Sequence, residues 1–138
     1  MAHPLENMIR AAYAAFGRGD VDGYLLACTD DFSFNVPGAS LLAGTYQGRE
    51  GLHELGRLAM QLTEGSFKED VEAVLANDEH AVVLARHRFM RDSAPREYET
   101  AHVYEIHGGK LARCWEQPRD SKAFDAAWGV GQVQKAVK

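Results

Sequence analysis

The period of the hydrophobic pattern changes once along this chain, close to Gly65, and the change limits the folds it can adopt. Before Gly65 the apolar residues recur mainly at helical spacing, whereas after it apolar and polar residues alternate as in half-buried strands. Strands joined by short connections pair antiparallel, and without crossover helices they cannot form a parallel βαβ sheet. The chain is therefore predicted to be an α+β domain with an antiparallel sheet.

Periodicity and turn signals together predict eight or nine elements. In chain order these are a helix at about 4–16, a short helix after Asp20, a strand at 32–36, a helix at 50–62, and strands at 67–76, 80–91, 97–107 and 111–117. A loop through Gly44 and Gly48 precedes the third helix, and Ser121 is predicted to cap a last helical turn or two. The tail from Gly129 to Lys138 is predicted to be loosely held.

Length and charge narrow the possible partners. A chain of 138 residues suits a single domain, with its core at about 5–129. No apolar run approaches the ~20 residues that span a bilayer, so no membrane association is expected. The net charge of −5 and the scattered arginines argue against nucleic acid.

Targeting and redox signals favour the cytoplasm. The start at Met1 lacks the basic and apolar segments of a secretory signal, so we expect a cytoplasmic protein. Cys28 and Cys114 lie in apolar contexts, and in a reducing compartment they are expected to be free core thiols.

Alternation in the strand at 97–107 is the most informative local pattern. Glu97, Glu99 and Glu105 occupy odd positions, which therefore face solvent. The even, inward positions hold Tyr98, Thr100, His102, Tyr104 and Ile106. In the preceding strand His87 and Phe89 share one face, opposite the arginines at 86 and 88. Two histidines on adjacent strands are thus predicted to point into the same interior.

Two interpretations of these histidines are open. Each can be a core residue whose ring is satisfied by a backbone carbonyl or a tyrosine hydroxyl, or both can belong to a functional site. A zinc site needs three or four ligands at familiar spacing, and the sequence has neither a His-Glu-x-x-His motif nor paired cysteines. We therefore predict no metal and no cofactor.

The turn at 107–110 decides which residue of the last strand faces His102, and two geometries are open. A two-residue loop pairs positions 107 and 110 and sets Trp115 opposite His102. A three-residue loop with Gly109 left-handed sets Cys114 opposite His102 instead.

The second geometry brings Glu116 to the inward face. A lone carboxylate in an apolar cavity has its pKa raised by desolvation toward values useful for acid–base chemistry. In the alternative, Glu116 lies near the end of the strand and is solvated. A catalytic role for this residue therefore depends on the register of the last hairpin.

Three segments resemble the SnoaL-like branch of the NTF2-like superfamily, which includes steroid Δ5-isomerases and polyketide cyclases. They read MIRAAYAAFGRGDVDGYLLACTDDFSF, AHVYEIHGGKLARCW and DSKAFDAAWG, and the likeness covers about residues 5–129. The resemblance implies a cone in which a bent sheet wraps on N-terminal helices around a deep apolar pocket. It also favours the register that turns Glu116 inward, and it implies frequent dimerisation through the sheet.

The resemblance also suggests roles for individual residues. Tyr13 matches the first-helix tyrosine that donates to the oxyanion in the isomerases, and His102 falls where they place a second, acidic donor. Asn35 falls near their catalytic aspartate, but an amide cannot take up a proton at neutral pH. Glu116 lies where a cyclase-like site would have an acid–base group. We therefore predict Tyr13, His102 and Glu116 as catalytic residues. The predicted pocket-lining residues are Asn35, His87, Phe89, Tyr104 and Cys114.

Three functions are compatible with these features. The first is an isomerase or cyclase that moves a proton on a carbonyl-activated carbon, in which Tyr13 and protonated His102 stabilise an enolate while Glu116 shuttles the proton. The second is hydrolysis of an epoxide or ester, but the Asp-Arg-Asp arrangement of relatives that open epoxides has no counterpart in the sequence. The third is a non-catalytic module that binds a small apolar molecule or a partner protein.

A homodimer is predicted through the outer face of the sheet. Apolar residues Leu84, Met90 and Val103 lie opposite His87 and His102, and the three-residue loop adds Trp115 to them. A patch of this kind tends to associate. Charged side chains share this face, so its contacts are expected to be mixed.

Overall fold

The computed structural model describes residues 3–130 and contains four helices and six strands over that range. The helices are α1 Pro4–Gly17, α2 Val21–Leu25, α3 Gly48–Thr63 and α4 Ser121–Trp128. The strands are β1 Cys28–Val36, β2 Gly44–Gln47, β3 Lys68–Ala76, β4 His80–Arg91, β5 Ala94–His107 and β6 Lys110–Pro118. Most of the tail that was predicted to be loose, residues 131–138, lies outside the described residues.

All six strands form one curved, unclosed sheet in the order β2-β1-β6-β5-β4-β3. β3 to β6 form an antiparallel meander, and β2 pairs antiparallel with β1. β1 and β6 run parallel, which the antiparallel prediction did not include. The long path from β1 through α3 and the meander makes this pairing possible. The predicted α+β class is confirmed.

Two strand predictions and one cap need correction. β1 starts at Cys28 rather than position 32, because Asp30 and Asp31 are exposed residues within the strand and do not end it. β2 occupies part of the segment predicted as a loop, since its four residues are too few to show an alternating pattern. Asp120 rather than Ser121 caps α4, because its side chain accepts hydrogen bonds from the first-turn amides.

The core lies between the inner face of the sheet and the helices. Phe32 of β1 stacks on Tyr104 of β5 at a ring distance of 6.4 Å, and both are fully buried. At the other end, Trp128 of α4 covers Phe89 of β4 at 4.4 Å. Burying a large apolar side chain contributes about 1.5–3 kcal/mol, so the contact of Trp128 with Phe89 fixes α4 on the sheet.

Two further features concern location and redox state. No helix within residues 3–130 combines the length and apolar character needed to cross a membrane. Cys28 and Cys114 are both buried free thiols, as predicted.

Candidate active site

A cavity lies between the inner face of the sheet and the helices. The space inside it that is open to the centres of water-sized molecules is about 50 Å³. Most of its wall is apolar, and its polar groups come from the helices α1 and α2 and from strands β3 to β6. The lining residues are Tyr13, Phe16, Tyr24, Phe34, Val36, Leu42, Leu52, Leu55, Phe67, Glu69, His87, Tyr98, His102, Glu116 and Trp128. That volume makes the cavity narrow, and Tyr13, His102 and Glu116 in its wall are each less than a tenth exposed.

Glu116 faces this cavity through a turn geometry that neither predicted register describes. The loop has two residues, Gly108 and Gly109, both with positive φ. On its own, a two-residue loop would have set Trp115 opposite His102. A bulge in β6 next to the turn then adds one residue, so Glu116 rather than Trp115 pairs with His102. The prediction that Glu116 faces inward was correct, but the three-residue loop on which that prediction was based was wrong.

His102 lies at the centre of a chain of buried hydrogen bonds. Its Nε2 is 3.0 Å from Glu116 Oε2, and its Nδ1 is 2.6 Å from the Tyr13 hydroxyl. The same oxygen of Glu116 accepts a bond of 2.7 Å from the Thr100 hydroxyl. The two strands and helix α1 thus bring together the three residues predicted to be catalytic.

Three tyrosine hydroxyls continue this chain. Tyr104 lies between the other two, with its hydroxyl 2.5 Å from that of Tyr13 and 2.6 Å from that of Tyr24. Burial raises the pKa of all three phenols well above the ordinary value. They therefore remain neutral hydroxyls and act as hydrogen-bond donors and acceptors.

The His102–Glu116 pair is a buried ion pair. Burial alone would lower the pKa of His102, but the charge of the Glu116 carboxylate and its hydrogen bond outweigh burial and raise it. Burial alone would raise the pKa of Glu116, but the charge and hydrogen bond of His102 bring it down to about 2. The expected increase in the Glu116 pKa is therefore wrong, because the expectation treated this carboxylate as unpaired.

A second histidine–carboxylate pair lies beside the first. His87 Nε2 is 2.5 Å from Glu69 Oε2, and His87 Nδ1 is 2.8 Å from the Tyr98 hydroxyl. Trp128 Nε1 donates to that hydroxyl at 2.8 Å. The rings of His87 and His102 are 5.6 Å apart, so the cavity contains two such pairs on neighbouring strands.

Glu69, His87 and His102 form a group that could hold a metal ion, since their ligand atoms lie within 4.8 Å of one another. Their present arrangement is that of a hydrogen-bonded network. His87 Nε2 and Glu69 Oε2 are 2.5 Å apart, whereas two tetrahedral ligands that are each about 2.0–2.1 Å from zinc lie about 3.4 Å apart. A metal would have to move His87 and Glu69 apart, and His102 would have to lose its hydrogen bond to Tyr13 or to Glu116.

The other predicted lining residues divide into three groups. His87 lines the cavity as predicted. Phe89, Tyr104 and Cys114 are buried in the core but do not line the cavity, and the rings of Trp128 and Tyr13 pack against the first two. Asn35 is on the outer face, since its neighbours Phe34 and Val36 point inward, and its amide donates to the Cys114 carbonyl at 3.0 Å.

Several lining residues were not predicted as site residues. Tyr24 and Trp128 lie in the helices that were predicted after Asp20 and from Ser121, but neither was predicted to line a site. Glu69 lies in a strand with charged residues on both faces, among them Asp70 and Glu72, so alternation did not mark it as inward. Its pairing opposite His87 would have identified it, but that needs the register of β3 on β4.

Comparisons with known proteins agree with this architecture. The chain is 26% identical over 123 residues to the uncharacterized protein Rv0034 of Mycobacterium tuberculosis, covering 88% of this chain and 94% of that one. Bal32a, from a soil-derived mobile gene cassette, superposes with a TM-score of 0.83 at 26% identity, over 90% of this chain and 95% of its own. An NTF2-like protein from Burkholderia xenovorans superposes with a TM-score of 0.72 at 23% identity, over 91% of this chain and 95% of its own.

The fold and site define a class of α+β proteins in which a curved sheet and its helices enclose a narrow, largely apolar cavity with buried acid–base groups. Within that class the chain belongs to the SnoaL-like domain family, whose profile matches residues 9–114. Its fold is NTF2-like, as the resemblance implied.

Proposed function

We propose that this protein is an acid–base enzyme that acts on a small, largely apolar carbonyl compound and moves a proton at the carbon next to the carbonyl. Isomerases and cyclases of this kind pass through an enolate, whose oxygen needs hydrogen-bond donors in a dry site. The observation that carries the proposal is the chain Glu116–His102–Tyr13, which ends at the wall of an apolar cavity.

A count of hydrogen atoms shows what this chain offers a ligand. The three tyrosines have three hydroxyl hydrogens, and the two bonds between them use two. If His102 is neutral and donates from Nε2 to Glu116, its Nδ1 accepts the third, and no donor remains. If His102 is protonated, Nδ1 donates to Tyr13 and one hydroxyl hydrogen is left over.

The remaining hydrogen belongs to Tyr13 or Tyr24, because both line the cavity whereas Tyr104 is enclosed between them. The carboxylate of Glu116 favours the protonated state of His102 and so keeps this donor available. A donor that is fixed before the reaction stabilises the enolate oxygen without reorganisation, an effect worth about 10²–10³ in rate. His102 and the tyrosines bonded to it in this chain thus form the oxyanion-binding half of the site.

Non-catalytic binding is the second candidate. It is favoured by the narrowness of the cavity and by the way its histidines and tyrosines bond to one another. A protein of this kind would bind a small apolar molecule without exchanging its protons. The family allows both functions, since one fold supports many activities.

The test uses β-tetralone, a small apolar ketone, and para-nitrophenol, whose anion resembles an enolate. We expect the protein to catalyse exchange of the carbon-bound protons of β-tetralone in D₂O, which NMR measures. We also expect it to bind para-nitrophenolate, which absorbance measures. Tyr13→Phe and His102→Gln should lower exchange by about 100-fold each. His107→Gln, at an exposed histidine of the same strand, is the matched control.

If the parent and His102→Gln exchange the protons of β-tetralone at the same rate, the proposal is overturned. Phenolate binding without exchange would establish the binding module instead.

The biological setting is also part of the proposal. We propose a cytoplasmic homodimer that needs neither metal nor cofactor, because the site's own side chains supply both a donor and carboxylates.

A further inference from the structure

The two histidine–carboxylate pairs differ in what they can do for a ligand. Tyr98 receives a hydrogen bond from Trp128, so its own hydroxyl hydrogen is free to go to His87 Nδ1. His87 can then be neutral and donate from Nε2 to Glu69. In that arrangement the second pair has no spare hydrogen to offer the cavity, in contrast to the pair that includes His102.

What the second pair offers is an acceptor. Glu69 Oε2 is bonded to His87, whereas Glu69 Oε1 has no hydrogen-bond partner within residues 3–130 and is not among the fully enclosed polar atoms. The side chain is only 7% exposed, and it lines the cavity. A carboxylate oxygen with an open position, held in a largely apolar wall, is suited to take a proton from a bound molecule.

Glu69 is also less engaged in hydrogen bonds than Glu116. Glu116 accepts from the Thr100 hydroxyl and from His102. Glu69 accepts one bond, from His87, whose other nitrogen is satisfied by Tyr98. Of the two carboxylates, Glu69 therefore has the free oxygen that can meet a bound molecule in the cavity.

We propose that Glu69 is the catalytic base that removes the proton from the carbon next to the carbonyl, a role that the sequence had suggested for Glu116. This assignment rests on the proposed function. The C–H bond breaks as Glu69 Oε1 takes the proton, and the bonding electrons form a C=C bond while the carbonyl π electrons move to oxygen. The hydroxyl donor of the His102 chain binds that oxygen. Protonated Glu69 then returns the proton to a carbon of the same conjugated system.

The donor and the base face the same space. Tyr13 and Tyr24, one of which carries the free hydroxyl hydrogen, line the same cavity as Glu69. A nitrogen of His102 and a carboxylate oxygen of Glu69 lie within 4.8 Å of each other, so the two histidine–carboxylate pairs are close neighbours in its wall. One bound molecule can therefore meet the hydroxyl donor with its carbonyl oxygen and Glu69 with the adjacent carbon.

Glu69 also has a route to water. Together with Tyr13 it lines a surface groove between α1 and β3, whose other residues are Arg10, Ala14, Gly17 and Val71. Glu69 thus borders both the cavity and the groove. When it carries the substrate proton, that proton can exchange with solvent, which predicts deuterium incorporation from D₂O.

The experiment measures β-tetralone exchange and para-nitrophenolate binding in parallel. Glu69→Gln should lower exchange by about 100-fold, a typical value for a general base, and leave the phenolate Kd within about threefold. His102→Gln should lower exchange and weaken phenolate binding. Glu72→Gln, at an exposed glutamate of the same strand, should change neither.

A second variant separates a chemical role from a structural one. Glu69→Ala leaves a space at the base, and added acetate should restore part of its exchange rate. Exchange by Glu69→Gln at the parent rate, with His102→Gln inactive, would overturn the assignment of Glu69 and leave the proposed function standing. No exchange by the parent would overturn both.

Discussion

Nε2 of His102 lies 3.0 Å from Oε2 of Glu116, and the two residues occupy directly opposite positions on β5 and β6. Both side chains are nearly inaccessible to solvent, at 4% exposure each. The pair makes the cavity a place where charge is held away from water, and it links a carboxylate to the tyrosine hydroxyls on the far side of the ring. Several measurable properties depend on it.

Removing the charge of Glu116 should destabilise the fold. Glu116→Gln leaves a buried histidine without its counter-ion, and breaking a buried pair in this way costs about 3–5 kcal/mol. Urea unfolding measures the loss. Glu97→Gln, on the outer face of β5 in an exposed ion pair with Arg86, should cost less than about 1 kcal/mol. Equal effects of the two substitutions would contradict the buried ion pair.

The pair should also create a pH window of stability. Because the pKa of Glu116 is lowered from 4.5 to about 2, its contribution is present above pH 4.5 and lost as the pH falls toward 2. Because the pKa of His102 is raised above 6.5, its contribution is present below that value and lost as the pH rises through the raised pKa.

The difference in unfolding free energy between parent and Glu116→Gln should therefore be greatest between about pH 4.5 and 6.5. Unfolding curves at several pH values test this. A constant difference from pH 3 to pH 9 would show that the pair does not titrate as described.

We expect the purified protein to contain no stoichiometric metal. Binding one at Glu69, His87 and His102 would break hydrogen bonds that satisfy both rings. Elemental analysis by mass spectrometry, before and after incubation with zinc, tests this prediction. One equivalent of metal that is lost in His87→Gln would contradict it and would redirect the site toward metal chemistry.

The predicted homodimer should have about twice the chain mass of 15.3 kDa in light scattering. Leu84 and Met90, both partly exposed on the outer face of β4, are expected to lie in the contact. Leu84→Glu should then yield monomers, whereas Met60→Glu, at an exposed residue of α3, should not. A parent of about 15 kDa at micromolar concentration would rule out the dimer.

The fold could be predicted because local patterns and the global architecture agree. Alternation in the strand that became β5 predicted His102 and Tyr104 as inward, and both are buried. Helical spacing predicted a first helix at about 4–16, close to the bounds of α1 at Pro4–Gly17. Such patterns are set by which face is buried, and burial is what holds these elements together.

The details of the site could not be predicted in this way, because they depend on single-residue events. The bulge in β6 is an extra residue at a position where the sequence shows only small and apolar side chains. The role of Glu69 depends on the pairing of β3 with β4. The pKa of Glu116 depends on a partner that only the register brings within reach.

The titration of His102 by NMR tests the central claim most directly. In the parent, the His102 midpoint should lie above the ordinary value of 6.5, because the Glu116 carboxylate stabilises the imidazolium. In Glu116→Gln burial is no longer opposed by that charge, so the midpoint should fall below 6.5. The exposed His107, which does not contact Glu116, serves as an internal reference signal in both proteins. A His102 midpoint that is the same in parent and variant would contradict the account.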